Sequence, residues 1–542
     1  MSDPIGALRE SVLAAVAEVH PSAEVEPTLE RPPKPEFGDF STNAALLLAP
    51  IAGEKPRDVA ARLEDALRSH LGDELRDVQI AGPGFLNLFL ADSWFNGAAA
   101  AIDESGADWG AGVAAGRERR TQVEFVSANP TGPITVASAR HAAYGDSLAR
   151  IFEFAGHPVQ REYYVNDAGG QIRLLGQSLA ARMTGDEIPE GGYQGDYLIP
   201  VAEQLAAEGL GPDDVEQLSR RGVELMRASI EASLAAFRVS FDRFASEREL
   251  HESGALEAGI ELVSGSDLTY RSDGALWMRT SEMGDDKDRV VVRADGEPTY
   301  FASDIAYHRD KLERGFELIV DVLGADHHGY VARLQAAVSA LGGSEDTLEV
   351  EIMQLVNLIE GGERARMSKR RGEFTTLDEL VADIGVDAAR FFLVQRSHDT
   401  PLDIDLDVAR KRSNENPVFY VQYAHARIAT IFRRHEAGEG GPDPEAEPIV
   451  DDGTLHATEK ALVMRLLELP AQIERAELRR EPHSLGAWSR ELAADFHAFY
   501  RDCPVLIAPE DVRDRRLRLC AATRAVIATT LALLGVDAPE EM

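Results

Sequence analysis

The chain has 542 residues, of which 44% are hydrophobic and 27% are charged, and its formal net charge is −37. Its length predicts about three to four domains, and the lack of any run of about 18 apolar residues argues against a membrane span. Such acidity should repel nucleic acid unless the basic residues are gathered on one face. The two cysteines, Cys503 and Cys520, are too few for a disulfide framework and lack metal-ligand spacing, which favours a reducing cytoplasm and no zinc site.

The first 110 residues are predicted to form a small α/β domain. An amphipathic helical pattern covers 5–19; it contains Glu10 and Glu18 and lacks the basic start of an export signal. A second helical pattern covers 57–70, and the turn Gly82-Pro83-Gly84 joins two strand-like runs. The small and charged residues of "GAGVAAGRERR" then indicate a linker.

Residues 111–404 alternate strand-like and helix-like runs, which is typical of a doubly wound parallel sheet in a Rossmann-like α/β domain. "RTQVEFVSA" and "PVQREYYVND" predict strands on either side of a helix that ends at Gly156. Residues from about 171 to 282 are mostly polar and helical in pattern, which indicates an insertion. Residues 405–542 are predicted to be all-α, apart from one acidic loop rich in glycine and proline.

The loop after the first of these strands is a candidate ligand site. It runs from Ser127 to Ser138 and contains Pro130, Thr135 and Ala137. Ligands of open α/β sheets bind where strands end and helices begin, and backbone N–H groups at a helix N-terminus face anions. Prolines that only shape a crossover turn would explain the same residues, so the loop alone leaves both interpretations open.

A basic cluster stands out in this acidic chain. The segment "LVNLIEGGERARMSKRRGEF" carries Arg364, Arg366, Lys369, Arg370 and Arg371 between glycines. Such a loop can clamp a polyphosphate and stabilise charge that develops on it. A solvated basic loop is the more frequent explanation of a charge run, but Met-Ser-Lys-Arg after a strand-like run favours the functional one.

Two further segments carry candidate substrate contacts. Tyr300 and Asp304 share a face if "TYFASDIAYHRDK" is helical, and a carboxylate beside a phenol suits a planar cation such as guanidinium. From the spacing alone, a helix cap or surface pair is the stronger explanation. In "GADHHGY", Asp326, His327 and His328 follow a predicted strand without a third metal ligand at suitable spacing, which favours polar substrate contacts over a metal site.

Together these segments resemble a class I aminoacyl-tRNA synthetase, specifically the arginyl-tRNA synthetases of the bacterial type. The resemblance covers nearly the whole chain and rests on an ordered set of segments: "EFVSANPTGP", "REYYVNDAGGQI", "TYFASDIAYHRDK", "GADHHGY", "MSKRRGEF", "VDAARFF" and "QYAHARI". It implies an additional N-terminal domain over 1–110 that contacts the tRNA D-loop or elbow. It further implies a Rossmann-like catalytic domain over 111–404 and an all-α anticodon-binding domain over 405–542.

The resemblance also implies a reaction and its partners. Arginine, ATP with Mg²⁺ and tRNA(Arg) give arginyl-tRNA, AMP and pyrophosphate through arginyl-adenylate, whose formation requires bound tRNA. The family leans towards monomers that work in the cytoplasm, without a membrane partner. No tightly bound metal is expected.

The family's residue roles transfer to matching positions. The expected guanidinium ligands are Glu124, Tyr300 and Asp304. Asn129 would hold the α-amino or carboxylate end of arginine, and His327 would assist. The expected ATP contacts are Pro130, Thr135, Ala137, Ser138, Met367 and Lys369. The expected catalytic residues are Thr135, Ser138, His141, Ser368 and Lys369. The expected tRNA contacts are Phe85 and Asn87 for the D-loop, and Tyr420, Tyr423 and Met542 near the anticodon.

The chain departs from the family at the nucleotide site. The family's HIGH element, His-Val-Gly-His, is Thr-Val-Ala-Ser at 135–138, so both histidines that steady the phosphates are missing. In the KMSK element the change is mild, because Arg366 replaces the first lysine. Losing a donor to the transition state typically costs about 10²–10³-fold in rate.

Two hypotheses remain open for this departure. In the first, the enzyme is active and His141, one helical turn beyond Ser138, compensates. In the second, the chain is a paralogue that binds tRNA or arginine without charging tRNA, or that transfers arginine to another acceptor. For His141, a surface histidine packed on a neighbour is the plainer explanation.

Overall fold

A computed structural model describes residues 3–364, 375–439 and 454–542. Within these ranges the chain forms an N-terminal α/β domain, a central α/β domain and a C-terminal helical domain. No described helix combines the length and hydropathy that crossing a membrane requires.

The N-terminal domain packs helices against an antiparallel sheet of order β1-β2-β4-β3. Its strands are β1 Leu29–Glu30, β2 Phe40–Thr42, β3 Leu75–Ala81 and β4 Phe85–Leu90. Its helices are α1 Pro4–Val19, α2 Ala44–Ala52, α3 Pro56–Leu71 and α4 Asp92–Ser105. The two predicted helices and the predicted hairpin are confirmed: β3 and β4 pair antiparallel across the turn at 82–84.

The central domain contains a parallel sheet of order β12-β11-β5-β6-β7, as the alternating pattern predicts. The strands of the domain are β5 Thr121–Glu124, β6 Val159–Val165, β7 Arg243–Ser246, β8 Thr269–Ser272, β9 Ala275–Met278, β10 Arg289–Val292, β11 Leu318–Gly324, β12 Leu348–Met353, β13 Val356–Glu360, β14 Glu363–Arg364 and β15 Leu402–Asp405. Strands β8, β9 and β10 form a small antiparallel sheet, and β13 pairs with β14 and β15.

Helices surround these sheets. They are α5 Val136–Ala155, α6 Gly170–Thr184, α7 Leu198–Ala207, α8 Val215–Ala236, α9 Glu247–Glu252, α10 Ala255–Ser264, α11 Tyr300–Glu313, α12 Val331–Ala340, α13 Leu377–Ile384, α14 Val386–Leu393 and α15 Leu406–Ala409.

The range 171–282, predicted to be a helical insertion, is helical only in part. Helices α6, α7 and α8 pack on one another there. However, β7 is the edge strand of the parallel sheet, and β8 and β9 lie in the antiparallel sheet. The sequence conceals β7 because this short edge strand pairs only with β6 and fully buries only Ala245, so it shows no apolar run.

Helix α5 covers the centre of the parallel sheet, packing against β5 and β6. It ends, as predicted, at Gly156, whose φ of 112° suits a glycine cap. Gly145 allows the close approach, because a Cβ at this position would lie 2.2 Å from Phe125 Cγ. The start of α5 is thereby held near the carboxyl end of β5, at the edge where parallel sheets bind ligands.

The C-terminal domain is helical in its described part, as predicted. Its helices are α16 Pro417–Glu436, α17 Ala457–Leu466, α18 Leu469–Arg479, α19 Pro482–Asp502 and α20 Glu510–Leu533. It also contacts the N-terminal domain, because α4 packs on α20 and Lys460 Nζ lies 2.6 Å from Asp92 Oδ1. The two end domains therefore support each other as well as the central one.

Candidate active site

The turn after β5 is strained and positions Glu124. Val126 and Ser127 have φ values of 70° and 41°, a left-handed conformation that is costly for a β-branched valine. The turn returns Ser127 Oγ to Glu124, where the hydroxyl donates to Oε1 at 2.8 Å. The Tyr164 N–H donates to the same Ser127 oxygen at 3.1 Å. The Glu124 carboxylate is thus fixed at the ligand-binding edge of the sheet.

Glu124 belongs to a buried charge cluster that β5, α11 and β11 share. Lys311 Nζ donates to Glu124 Oε2 at 2.6 Å and to Asp321 Oδ1 at 2.7 Å. His308 Nε2 lies 3.0 Å from Asp321 Oδ2, and its Nδ1 lies 2.8 Å from the backbone oxygen of Asp304. The side chains of Lys311, Asp321 and His308 are all buried, so these contacts lie in a medium of low polarity.

The carboxyl groups around this cluster have different pKa values. Burial raises the pKa of Asp304 to about 7, and the carboxylates of Glu247 and Glu124 add to the rise. Burial also raises the pKa of Glu124, against the attraction of Lys311. Although burial opposes it, Lys311 and His308 hold the pKa of Asp321 at about 2. Asp304 is therefore the carboxyl group that gains most from a bound cation.

The predicted arginine contacts occupy different environments. Asp304 is half-buried beside Glu124, whereas Tyr300, at the start of α11, is 73% exposed. Asn129 Nδ2 donates to Gln171 Oε1 at 2.7 Å, and His327 is exposed next to Asp326. Within the described ranges, no hydrogen bond connects Tyr300, Asn129 or His327 to Glu124 or to the Asp304 side chain.

The N-terminus of α5 offers groups that can bind an anion. Thr135 caps the helix, and its Oγ1 lies 3.3 Å from both the backbone N and the Oγ of Ser138. Both hydroxyls are partly accessible, and Ala137 between them is exposed. Pro130, predicted to contact ATP, is buried in the loop, where its rigid ring shapes the backbone.

His141 lies one turn further along α5 and faces the end of β11. Its Cε1 is 3.8 Å from the position that a Cβ on Gly324 would occupy. Burial lowers the pKa of His141 to about 4, and the Arg140 charge adds to the fall, so the imidazole is neutral at pH 7. In the described part of the chain, no hydrogen bond reaches its ring. A neutral imidazole still has one N–H to donate.

The predicted catalytic and ATP-binding residues of the basic segment, Met367, Ser368 and Lys369, lie outside the described residues. The structure does describe the chain that follows them. Thr375 O accepts from the Val136 N–H at 3.1 Å, and the Leu377 N–H donates to Ile134 O at 2.8 Å. The chain leaving the basic segment therefore lies directly against the start of α5.

Comparison with known proteins gives matches along most of this architecture. The arginyl tRNA synthetase N-terminal domain matches residues 6–90, and the DALR anticodon binding domain matches 421–542. The catalytic domain of class I (R) tRNA synthetases matches 106–190 and 210–420, more than half of the chain. The chain belongs to the arginyl-tRNA synthetase family.

Full-length relatives agree with this assignment. An arginine--tRNA ligase of Kineococcus radiotolerans is 45% identical over 552 residues, which cover 99% of each chain. One from Carboxydothermus hydrogenoformans is 44% identical and covers 99% of this chain and 98% of its own length. The arginyl-tRNA synthetase structure from Thermus thermophilus has a TM-score of 0.75 at 24% identity, covering 99% of this chain and all of its own. The α/β synthetase fold with a helical C-terminal domain is thereby confirmed, and the chain is an enzyme.

In this synthetase, the predicted D-loop contacts lie on the outer face of β4. Phe85 is 39% exposed at the start of the strand. Asn87 is only 6% exposed, and its Oδ1 accepts from Ser41 Oγ at 2.9 Å. Phe85 is accessible for a direct tRNA contact. Asn87 is mostly buried and its Oδ1 is engaged by Ser41, so its contact with tRNA stays a prediction.

A cavity of about 740 Å³ in the synthetase's C-terminal domain contains two of the predicted anticodon contacts, Tyr423 and Met542. The guanidinium of Arg427 lies 4.5 Å from the Tyr423 ring centre and 4.7 Å from that of Tyr500, which also lines the cavity. Tyr420 is not part of the lining, because its ring packs on His497 with the centres 4.9 Å apart. Aromatic rings combined with arginine suit stacked bases and phosphates.

The sequence patterns do not single out Lys311, His308 or Asp321, although Lys311 and His308 lie in the same segment as Tyr300 and Asp304. Two signals were available. Lys311 is seven residues after Asp304, or about two helical turns on the same face. Asp321 interrupts an otherwise apolar strand, and a charge in such a position requires a buried partner.

Proposed function

We propose that this synthetase ligates L-arginine to tRNA(Arg), using ATP and passing through arginyl-adenylate. One observation carries the proposal: the carboxyl groups of Glu124 and Asp304 lie close enough to interact electrostatically, at the sheet edge near the start of α5. Carboxylates suited to a cationic side chain thus lie beside a helix end suited to phosphates. The relatives named above are arginine--tRNA ligases, which supports the same assignment and gives no support to a non-charging paralogue.

In the proposed complex, the guanidinium of arginine lies between Glu124 and Asp304, and Tyr300 closes over it from the start of α11. Asn129 holds the α-amino or carboxylate end, with His327 assisting. Buried acids left without a cation make such a pocket reject uncharged analogues.

The nucleotide lies at the N-terminus of α5. Thr135 and Ser138 donate to the phosphates of ATP, which arrives with Mg²⁺, and the exposed Ala137 backbone faces the base. The basic segment with Met367, Ser368 and Lys369 completes the phosphate site. An oxygen of the arginine carboxylate attacks the α-phosphorus, and the bond to pyrophosphate breaks. A ribose hydroxyl of the tRNA then attacks the adenylate carbonyl, loses its proton and releases AMP.

His141 supplies the donor that the missing histidines would have given. Its position at the end of β11, its neutral ring and its lack of a hydrogen bond within the described ranges support this role. A neutral imidazole donates a hydrogen bond without adding a charge near the arginine site.

The two end domains bind the tRNA. Phe85 offers an exposed ring for the D-loop, and the cavity with Tyr423 and Met542 receives anticodon bases. The family resemblance supports a monomer that works in the cytoplasm. Two buried free thiols, Cys503 and Cys520, fit that reducing compartment.

The decisive experiment is arginine-dependent exchange between ATP and pyrophosphate, measured with and without tRNA(Arg). We expect exchange only when tRNA is present. Exchange that is absent under every condition, while tRNA still binds, would reject the proposal in favour of the paralogue.

The same assay tests His141. His141→Ala should lower the exchange rate by about 10²-fold or more, because a donor to the transition state is lost. His70→Ala is the matched control, since His70 pairs with Glu18 in the N-terminal domain, and it should leave the rate unchanged. Equal rates for the two variants would remove His141 from the mechanism.

A further inference from the structure

Lys311 has no role in the reaction proposed above, yet it is fully buried directly behind the arginine site. It contacts Glu124 and Asp321 through hydrogen bonds of 2.6 and 2.7 Å, and its Nζ lies 4.4 Å from the centre of the Tyr307 ring. Removing an ammonium group from water costs several kcal/mol unless its partners compensate. A single cation is here shared between two carboxylates, one of which faces the substrate.

The second carboxylate, Asp321, has a further partner in His308. The backbone oxygen of Asp304 can only accept, so His308 Nδ1 carries a proton. His308 Nε2 lies 3.0 Å from Asp321 Oδ2, so the same ring bridges α11 to the second carboxylate. Asp321 therefore shares Lys311 with Glu124 and adds a histidine ring, whereas in the described part of the chain the second partner of Glu124 is the Ser127 hydroxyl.

The carboxyl groups of the cluster outnumber its ammonium group. Lys311 contacts Glu124 and Asp321, and both of these carboxylates act electrostatically on the nearby Asp304. The neighbouring Glu162 does not alter this balance: Arg314 donates to it at 2.6 and 2.9 Å, and the Tyr307 hydroxyl donates at 2.9 Å.

We propose that Lys311 and Asp321 are positioning residues that set the charge selectivity of the arginine site. Lys311 holds Glu124 in place. Asp321 takes up part of the Lys311 charge, so that Glu124 keeps enough negative charge to prefer a cationic side chain. The inference rests on the proposed function, since it assumes that Glu124 faces the guanidinium of arginine.

The test compares L-arginine with L-citrulline, whose ureido group has a similar shape without the charge. Both ligands are titrated calorimetrically into the full-length protein and its Asp321→Asn variant. In this variant Glu124 is the remaining carboxylate partner of Lys311, so Lys311 should neutralise more of the Glu124 charge. We therefore expect the Kd for arginine to rise about tenfold or more. The Kd for citrulline should change by less than about threefold. Equal weakening of both ligands would overturn the proposal, because a merely structural residue affects both alike.

A double variant separates charge from packing. Lys311→Met leaves Glu124 and Asp321 as neighbouring buried carboxylates without their shared cation, which disfavours the ionised form of Glu124 and weakens arginine binding. Adding Asp321→Asn removes the second carboxylate. We therefore expect Lys311→Met/Asp321→Asn to bind arginine at least about fivefold more tightly than Lys311→Met. A double variant that binds no better would show that Lys311 acts through packing and would overturn the proposal.

Matched controls come from a remote ion pair. Lys460→Met and Lys460→Met/Asp92→Asn disrupt the contact between α17 and α4, and neither should change either Kd.

The outcome is separable from that of the proposed function. If the unmodified protein binds arginine but shows no tRNA-dependent exchange, the ligase reaction is rejected and the inference about Lys311 and Asp321 is not. If exchange is normal but Asp321→Asn leaves the selectivity for arginine over citrulline unchanged, the inference is rejected and the ligase reaction is not.

Discussion

Asp304 is the residue whose ionisation couples most directly to arginine binding. Burial and neighbouring carboxylates raise its pKa to about 7. A guanidinium placed beside it favours the ionised form, so binding of arginine releases a proton whenever the free site is protonated. This linkage makes pH a direct probe of the contact.

The expected pH dependence has a definite sign. Below pH 7 the free Asp304 is mostly protonated and arginine must displace the proton, so the Kd for arginine should rise as the pH falls from 8 to 6. Calorimetry in two buffers of different ionisation enthalpy measures the proton release directly. A Kd that stays flat over this range, with no proton released, would contradict the pKa assigned to Asp304.

Removal of the Asp304 charge should affect arginine and spare ATP. Asp304→Asn is expected to raise the Kd for arginine about 100-fold, because losing one partner of a buried charge contact typically costs about 2–5 kcal/mol. The KM for ATP should be nearly unchanged. Asp310→Asn on the same helix is the control, since Asp310 pairs with Arg243 at 2.6 Å instead of facing the site. Equal losses in the two variants would point to a general weakening of α11.

The sequence could indicate Glu124 and Asp304, because the resemblance carries both. It could not reveal how Glu124 is neutralised, since its partner Lys311 is 187 residues away and meets it only when β5 and α11 pack together. Asn87 illustrates the converse. Its position fits a tRNA contact, but only the folded sheet shows that the residue is mostly buried and that its Oδ1 already accepts from Ser41 Oγ.

At the scale of elements, the site depends on how closely α5 approaches β5. The missing side chain at Gly145 allows this approach, and the strained turn at Val126 and Ser127 fixes Glu124 beside it. The helical periodicity of α5 and its glycine end were predictable from sequence. The short edge strand β7 was not, because it has too few buried residues to produce an apolar pattern.

A methyl group at position 145 should separate these elements. Gly145→Ala is expected to destabilise the protein by about 1–3 kcal/mol, since the added Cβ would overlap the Phe125 ring. Gly97→Ala in α4 is the matched control: no atom lies within 4 Å of its added Cβ, and it should stabilise by about 0.5–1 kcal/mol. Thermal unfolding measures both changes. If Gly145→Ala unfolds at the same temperature as the unmodified protein, the close packing of α5 on β5 does not limit the stability of the fold.

Helix α16 contributes three arginines to the C-terminal cavity, and Arg427 is the one that packs on the rings of Tyr423 and Tyr500. Arg427→Ala should raise the KM for tRNA about tenfold, as expected for the loss of a stacking and phosphate contact, while the Kd for arginine stays constant. Arg501→Ala is the control, because Arg501 is exposed and pairs with the adjacent Asp502. An unchanged KM for tRNA in Arg427→Ala would exclude this cavity as a tRNA contact.

For the whole molecule, the net charge of −37 opposes the capture of an RNA, so tRNA must bind along a local positive track. Charging should therefore depend strongly on salt. Between about 50 and 200 mM salt, the KM for tRNA should rise roughly tenfold or more, because phosphate contacts release counterions. Aminoacylation assays across this range provide the test. A flat profile would count against an electrostatic tRNA track.

The sealed position of Lys311 has a consequence for this salt response. Counterions from the medium do not enter between Lys311 and its two carboxylates, so the attraction among them is screened far less than contacts at the surface. The enzyme thus has two kinds of electrostatic contact: surface contacts with tRNA, which salt screens, and buried contacts behind the arginine site, which salt screens far less. A change in the ionic composition of the cell would alter how fast tRNA is captured, but not which amino acid is attached to it.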